Sequence, residues 1–214
     1  MSIPETSQLL RATRADAPRI AATLARAFHA DPIFSYAIPD PDKRLRALEQ
    51  LYHISIRYAV RRGEVYATSS QFEGAAVWLS PGAPPPGLMD SLWAGPGNVL
   101  AAFFAAGLRD FQRFMAFLDT AEAWQKTDAP AHSWYLMQLG VEPEHQGTGV
   151  GSQLLKPMFE RCDRHGEFAY LETATPENVA FYEKRGFHVV TEAPIAPGGP
   201  TLWTMVRPPQ AAAS

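Results

Sequence analysis

A glycine-rich loop between a strand and a helix has the residue types of an anion-binding site. The loop reads Gln146-Gly147-Thr148-Gly149-Val150-Gly151-Ser152, and it follows an apolar and aromatic run at 134–141. A helical pattern of apolar side chains begins just after it, at Leu154. Glycines let a ligand approach the backbone N–H groups, and the start of a helix carries partial positive charge. The sequence therefore predicts that residues 146–152 hold a phosphate-bearing ligand.

The spacing of the glycines narrows the class of ligand. A nucleoside-triphosphate loop ends in Gly-Lys-Ser/Thr, whereas Gly151-Ser152 is preceded by Val150, so no phosphate-binding lysine is present in the motif. A dinucleotide loop places its third glycine three residues after the second, whereas here the spacing from Gly149 to Gly151 is two. Both of these common nucleotide loops are therefore disfavoured.

Two separate motifs together resemble those of the GCN5-related N-acetyltransferases (GNAT). The loop is similar to the Gln/Arg-x-x-Gly-x-Gly/Ala pyrophosphate loop of that family. The segment from Asn178 to Phe187 is similar to its second signature, an Asn and a Tyr on a helix that ends in Gly-Phe. Within the family, the chain most resembles puromycin N-acetyltransferase-like proteins, which suggests a role in antibiotic resistance. The resemblance is strongest over 132–207 and weakest over 81–130, where the acceptor would be selected.

The predicted elements alternate so that a mixed sheet is flanked by helices. The resemblance implies the α/β (α+β) GNAT fold, with a mixed, mostly antiparallel sheet of about seven strands whose splayed central strands hold acyl-CoA. We expect one acyltransferase domain over residues 1–207 and a flexible tail at 208–214. A single helix is predicted over 98–124, because apolar side chains such as Leu100, Phe104 and Phe111 recur there at helical spacing.

The resemblance also implies the co-substrate and the residues that bind it. The co-substrate is acetyl-CoA, and the acetyl group passes directly from the thioester to a primary amine of a small molecule. Unpaired backbone groups at 139–141 would bind the pantetheine arm. The expected cofactor-binding residues are Leu139, Gly140, Val141, Gln146, Gly147, Thr148, Gly149, Val150, Gly151, Ser152, Asn178 and Tyr182.

The general acid is predicted to be Tyr182. Asn178 and Tyr182 are four residues apart and therefore lie on one face of a helix. By resemblance, the amide would contact the pantetheine and the phenol would protonate the leaving sulfur. The alternative is that Tyr182 packs in the core with its hydroxyl satisfied.

The general base is less clearly marked, and Glu172 is the first candidate. A carboxylate in an apolar strand is unfavourable unless it is paired, so either catalysis or a structural ion pair must explain it. Further candidates, acting through ordered water, are His132, Glu142 and Glu144.

Aromatic residues are the candidates for binding the acceptor, namely Phe34, Tyr36, Trp78 and Trp134. Core packing explains the same residues equally well. Two other functions stay open. The domain could bind acyl-CoA as a non-catalytic sensor, or it could acetylate proteins.

Composition limits the remaining partners. A net charge of −3 offers no basic excess for nucleic acid. The stretch 91–108 has no charged residue, but Gly95, Pro96 and Gly97 interrupt it, so no membrane span is predicted. One cysteine, Cys162, suits a reducing compartment, and we expect a cytoplasmic protein. A metal site is not predicted, and the expected state is a monomer or a homodimer.

Overall fold

A single sheet of seven strands runs through the part of the chain that the computed structural model describes, which is residues 9–68, 71–84, 86, 90 and 95–211. The strands are β1 (Leu10–Arg11), β2 (Gly63–Ala67), β3 (Gly74–Leu79), β4 (Trp134–Val141), β5 (Ala169–Thr173), β6 (His188–Pro194) and β7 (Thr201–Arg207). Their order across the sheet is β1-β2-β3-β4-β5-β7-β6. The β4–β5 pair is parallel and the other five described pairs are antiparallel. The predicted mixed, mostly antiparallel sheet is confirmed.

Helices cover both faces of this sheet. They are α1 (Ala17–Ala27), α2 (Pro32–Ala37), α3 (Pro41–Arg62), α4 (Pro96–Ala106), α5 (Leu108–Asp128), α6 (Val150–His165) and α7 (Pro176–Glu183). Side chains of α1 and α3, such as Leu24 and Ile56, form the core on one face. Side chains of α6 and α7, such as Leu154 and Tyr182, form the core on the other. We call these the α3 face and the α6 face.

One helix prediction is wrong, and one short helix was not predicted. The helix expected over 98–124 is two helices, α4 and α5, because Gly107 between them has a φ of 85°, which is the left-handed region and ends a right-handed helix. The short helix α2 was not predicted. It begins where the Asp31 carboxylate accepts a hydrogen bond from the Ile33 N–H at 2.9 Å.

Two expectations concern the membrane and the chain end. Within the described ranges, no helix has the length and apolar character needed to cross a bilayer. Residues 208–211 follow β7, and the remaining residues of the expected tail, 212–214, lie outside the described part.

Strands β4 and β5 pair over a short stretch and then diverge. Their register joins Trp134–Leu136 to Ala169–Leu171, and β4 continues to Val141 without further pairing to β5. On its other side, β4 is paired with β3 along nearly its whole length. A gap therefore opens in the middle of the sheet beyond Leu136, and the splay that the resemblance implies is present.

The backbone groups that face this gap alternate along β4. The Glu142 N–H donates to the Glu73 carbonyl of the β3 side at 2.7 Å. In an antiparallel pair every second residue bonds the same neighbour, so Gly140 also bonds toward β3, while Leu139 and Val141 point their N–H and C=O groups into the gap. Gly140 therefore does not offer the unpaired backbone groups that were expected of it. Leu139 and the Val141 N–H face the gap, whereas the Val141 carbonyl accepts the Gln146 amide at 3.1 Å.

Gly140 has a packing role instead. A Cβ atom at this position would lie 2.6 Å from Cδ2 of Leu24 and 3.1 Å from Cβ of Ala27. Both residues belong to α1, and Leu24 is fully buried. The absence of a side chain therefore lets α1 pack directly against β4.

We expect Gly140→Ala to destabilise the fold by about 1–3 kcal/mol, because the added methyl overpacks the α1–β4 contact. The free energy of unfolding in urea measures this effect. Gly97→Ala is the matched control, since a Cβ there has no atom within 4 Å. Equal stability of both variants would show that α1 shifts without strain and would contradict the packing role.

Candidate active site

One cavity of about 450 Å³ passes through the gap between β4 and β5. Asn178 and Tyr182 of α7 line it on the α6 face, and Phe34 of α2 and Tyr52 of α3 line it on the opposite face. The strand edges between them contribute Leu139 and other residues. Because the sheet is open here, two ligands entering from opposite faces can meet at the strand edges.

Glu172 lies at the meeting point, on the α3 face. Alternate residues of a strand share a face, so Glu172 lies on the same side of β5 as Tyr170. The ring of Tyr170 lies 5.7 Å from the ring of Tyr135 on β4. Tyr135 and Met137 pack against the α1–α3 core, which identifies this side as the α3 face. The carboxylate thus lines the cavity on the side opposite α7.

The surroundings of Glu172 make it a basic carboxylate. Burial raises its pKa from 4.5 to about 7, and the Tyr135 and Tyr170 hydroxyls limit the rise because they favour the charged form. Neither Glu172 Oε1 nor the Tyr170 hydroxyl has a hydrogen-bond partner among the described residues. None of the ion pairs in the described part includes Glu172, so the structural ion pair is not found. The carboxylate therefore keeps an acceptor atom available to a ligand.

Tyr182 lines the same cavity from α7. Its residue is 7% exposed, and burial raises the pKa of the phenol above its usual value of 10. The phenol is thus protonated at neutral pH and can donate a proton. The ring packs against Phe181 and Phe187, at centroid distances of 5.1 and 5.5 Å. Tyr182 therefore packs against neighbouring rings and also lines the cavity.

The glycine loop has the backbone conformation of an anion site at the start of α6. Gly147 and Gly149 have φ values of 75° and 94°, which other residues adopt only with strain. Nothing lies within 4 Å of a Cβ atom at either position, so their outer side is open. The Thr148 hydroxyl donates to the His145 carbonyl at 2.6 Å and closes the turn. The Gln146 amide donates to the Val141 carbonyl at 3.1 Å and ties the loop to the end of β4.

A cation lies beside the first turn of α6. The Arg185 guanidinium stacks over the Phe181 ring at 3.5 Å and donates to the Ser152 hydroxyl. Stacking and hydrogen bonds fix this charge at the loop. It is therefore suited to contact a phosphate bound there.

Comparison with known proteins agrees with this geometry. Residues 109–189 match the model of the acetyltransferase (GNAT) domain. Over these residues the chain is similar to a GNAT acetyltransferase domain. It is 29% identical to an uncharacterised N-acetyltransferase of Schizosaccharomyces pombe over 175 residues, which cover 80% of this chain and 70% of that protein. These findings identify an acyltransferase enzyme, and the family uses acetyl-CoA as co-substrate.

Solved structures share the whole fold. One is described as histone acetyltransferase HPA2 and related acetyltransferase from Corynebacterium glutamicum. It is 28% identical and has a TM-score of 0.65, and the match covers 97% of this chain and 98% of that chain. Arylalkylamine N-acetyltransferase 2 from Aedes aegypti is 13% identical, with a TM-score of 0.59 over 95% of this chain and 99% of that chain. The second likeness shows the GNAT fold alone.

Several of the residues predicted to bind the acceptor lie away from the cavity. Trp78 is fully buried on the α6 face, with its ring 6.3 Å from that of Phe159. Trp134 is in the same core, and its indole donates to Glu167 at 2.9 Å. Both predictions are therefore wrong, because these strand positions face α6. Tyr36 is not among the residues that line the cavity, whereas Phe34 is.

The other base candidates are also outside the cavity. His132 is exposed ahead of β4, and Glu142 forms a salt bridge with Arg26. Glu144 is exposed beside the loop. The lining residues therefore leave Glu172 as the candidate closest to the gap.

Sequence reasoning missed the residues that surround Glu172 and those at the far end of the cavity. Tyr170 had a signal, since it precedes Glu172 by two residues in a strand and must share its face. No feature of the sequence marked Tyr135, because its position beside Tyr170 depends on the β4–β5 register. Asp31 and Tyr52 also line the cavity and belong to elements distant in the sequence.

We expect Glu172→Gln to be more stable than the natural protein above pH 7. A pKa of about 7 in the folded state, against an ordinary 4.5, means that the folded protein binds the proton more tightly than the unfolded chain. Its stability therefore falls as pH rises from about 4.5 to about 7, by up to about 3 kcal/mol at 1.36 kcal/mol per pKa unit. The test is to measure the unfolding free energy of both proteins from pH 4 to pH 9, at intervals of about half a pH unit, and to compare the two curves. A difference that is constant over this range would contradict the raised pKa.

Proposed function

We propose that this protein transfers an acetyl group directly from acetyl-CoA to a primary amine of a small molecule. One observation carries the proposal: a single cavity joins Glu172 on one face of the sheet to Tyr182 on the other, through the gap beyond Leu136. A base and an acid on opposite faces suit a reaction in which the amine and the thioester approach from opposite sides.

The chemistry requires two proton movements. An alkyl ammonium has a pKa near 10.4, so the amine must lose a proton before its nitrogen can attack the thioester carbonyl carbon. Glu172 accepts this proton, directly or through one water. As the C–N bond forms and the C–S bond breaks, Tyr182 donates its proton to the leaving sulfur. The products are the acetamide and free CoA, and a covalent acyl-enzyme is not needed.

The acetyl-CoA would lie along β4 on the α6 face. The Leu139 backbone groups and the Val141 N–H, which face the gap, can bond the amides of the pantetheine arm. The backbone N–H groups of the loop at the start of α6 and the Arg185 cation can bind the pyrophosphate. Asn178, exposed at the cavity rim, can contact the arm between these two points.

A small acceptor fits the cavity better than a protein segment does. The volume of about 450 Å³ is within the range of small-molecule sites, and Phe34, Phe114 and Phe117 line it with rings. The C. glutamicum neighbour, described as a histone acetyltransferase, is the reason to test lysine peptides as well. The resemblance to puromycin N-acetyltransferase-like proteins makes puromycin the first amine to try. The single cysteine supports a cytoplasmic location.

Acetyl-CoA should raise the melting temperature, and NAD and ATP should not. At about 100 times its dissociation constant, a ligand adds roughly 2.7 kcal/mol of stability. Gly149→Asp should abolish the shift, because the added carboxylate repels the pyrophosphate. Gly149→Asn is the matched control, since both residues tolerate the left-handed backbone at this position and only one is charged. A shift by NAD alone, or equal loss in both variants, would overturn the loop assignment.

Tyr182→Phe should lower kcat by about 10²–10⁴-fold, the range typical of general acid catalysis, with little change in the Kd of acetyl-CoA. Asn178→Ala should show the opposite pattern and mainly raise KM for acetyl-CoA. Release of free CoA in the presence of amine measures both. If Tyr182→Phe keeps nearly full kcat, the phenol has a packing role. If acetyl-CoA binds and no amine stimulates CoA release, the protein is a sensor.

A further inference from the structure

The charged side chains that line the cavity, among the residues that the structure describes, are all acidic. Four carboxylates line it, those of Asp31, Asp119, Glu122 and Glu172, and among the described residues it is lined by no lysine, arginine or histidine. Glu122 is neutralised by Lys126 at 2.7 Å. The other three have no salt bridge in the described part of the chain. Asp119 is exposed to solvent, whereas Asp31 and Glu172 are partly buried. Two partly buried, unpaired acids in a largely apolar cavity favour a ligand with two positive charges, because a carboxylate removed from water is stabilised by a counter-charge.

Asp31 lies at the start of α2, on a different element from Glu172 of β5. Its Oδ1 accepts the N–H groups of Ile33 and Phe34, at 2.9 and 3.4 Å, and so caps the helix. No hydrogen bond to Oδ2 is formed by the described residues, and the side chain faces the cavity. The residue is partly buried, and burial raises the pKa of this carboxyl to about 6. One oxygen is thus structural and the other is available to a ligand.

Tyr52 supplies a second, independent sign of a ligand at the same end. The residue is 4% exposed and lines the cavity, and its hydroxyl has no hydrogen-bond partner among the described residues. A buried hydroxyl without a partner costs about 1–3 kcal/mol. Burial raises the pKa of this phenol, and the negative charge of Asp31 raises it further. Both residues line the same cavity.

Three aromatic rings that contact one another line the cavity near Asp31. The centroids of Phe28, Phe34 and Tyr52 are separated by 6.0, 5.6 and 6.1 Å. All three residues line the cavity. Ring faces attract ammonium groups, and the attraction strengthens where water is excluded. A carboxylate, a free hydroxyl oxygen and aromatic rings together are the recognition elements for an alkylammonium group.

We propose that Asp31 and Tyr52 form a second subsite, which holds a distal ammonium group of the acceptor, so that the substrate is a diamine or another amine with a second basic nitrogen. This rests on the proposed function, since the first nitrogen is the one acetylated beside Glu172. The second nitrogen stays protonated and donates to Asp31 Oδ2 and to the Tyr52 oxygen. The apolar walls between the two subsites contact the alkyl or aryl chain that joins the nitrogens.

The test compares straight-chain α,ω-diamines with monoamines of matching length, by steady-state release of CoA. We expect kcat/KM to be at least about tenfold higher for the best diamine, equivalent to 1.4 kcal/mol. Asp31→Asn should bring this ratio close to one, mainly through KM. Asparagine caps a helix as well as aspartate does, so the substitution removes the charge and keeps α2.

Two further variants separate binding from folding. Asp40→Asn is the control, because Asp40 caps α3 in the same way, accepting the Lys43 N–H at 2.9 Å, and is exposed. It should leave the diamine preference and the turnover unchanged. Tyr52→Phe should weaken the diamine preference without loss of thermal stability, because the hydroxyl it removes has no partner.

The outcomes distinguish this proposal from the proposed function. Equal kcat/KM for diamines and monoamines, in the natural protein and in Asp31→Asn, would refute the subsite and leave the acetyltransferase intact. If no amine is acetylated, calorimetry with diamine and CoA gives the answer. Tighter binding of the diamine than of the monoamine, lost in Asp31→Asn, supports the subsite even though the proposed function has failed. If the diamine and the monoamine bind equally, the subsite is refuted as well as the proposed function.

Discussion

The divergence of β4 and β5 after Leu136 is the constraint on which the rest of the structure depends. A buried strand edge leaves backbone N–H and C=O groups without partners, which is unfavourable unless a ligand bonds them. Here β3 holds the other edge of β4 along its length, so β4 stays a strand although β5 moves away. The gap thus exists because one side of β4 is fully paired, and the cavity, the cofactor groove and the two catalytic candidates all follow from it.

The same gap explains how groups on opposite faces act on one reaction. Strand alternation assigns Glu172 to the α3 face, and packing of α7 assigns Tyr182 to the α6 face. A closed sheet would separate these two side chains. An open sheet lets both line one cavity, so that a base and an acid meet the substrates from opposite sides.

The carboxylates that suit this cavity for binding a ligand also lower the stability of the folded protein. Burial raises the pKa of both Glu172 and Asp31, so each carboxylate is less stable in the folded protein than in water. The Tyr170 and Tyr52 hydroxyls are buried and have no hydrogen-bond partner in the described part of the chain. Unsatisfied groups of this kind concentrate in sites that bind ligands, because the ligand supplies the missing partners. The α1–β4 contact at Gly140 and the two apolar cores stabilise the fold around them.

The sequence by itself determined the features that are local in the chain. A strand, a glycine turn and a helix start are contiguous, so the anion loop at 146–152 was predictable, and Asn178 and Tyr182 share a helix face by their spacing alone. The order of strands and helices indicated the mixed sheet. The break at Gly107 was missed, because apolar spacing continues across it and a single glycine is tolerated in many helices.

Only the tertiary structure decided which side chains share the cavity. Trp78, Trp134 and Phe34 are all aromatic, and nothing in the sequence says that two of them face α6 while the third faces the gap. Tyr135 meets Tyr170 because of the register between two strands, and Asp31 meets Tyr52 because two helices pack together. Register and packing depend on contacts between residues far apart in the chain, whereas periodicity and turn chemistry depend on neighbours, and this difference separates what could be predicted from what could not.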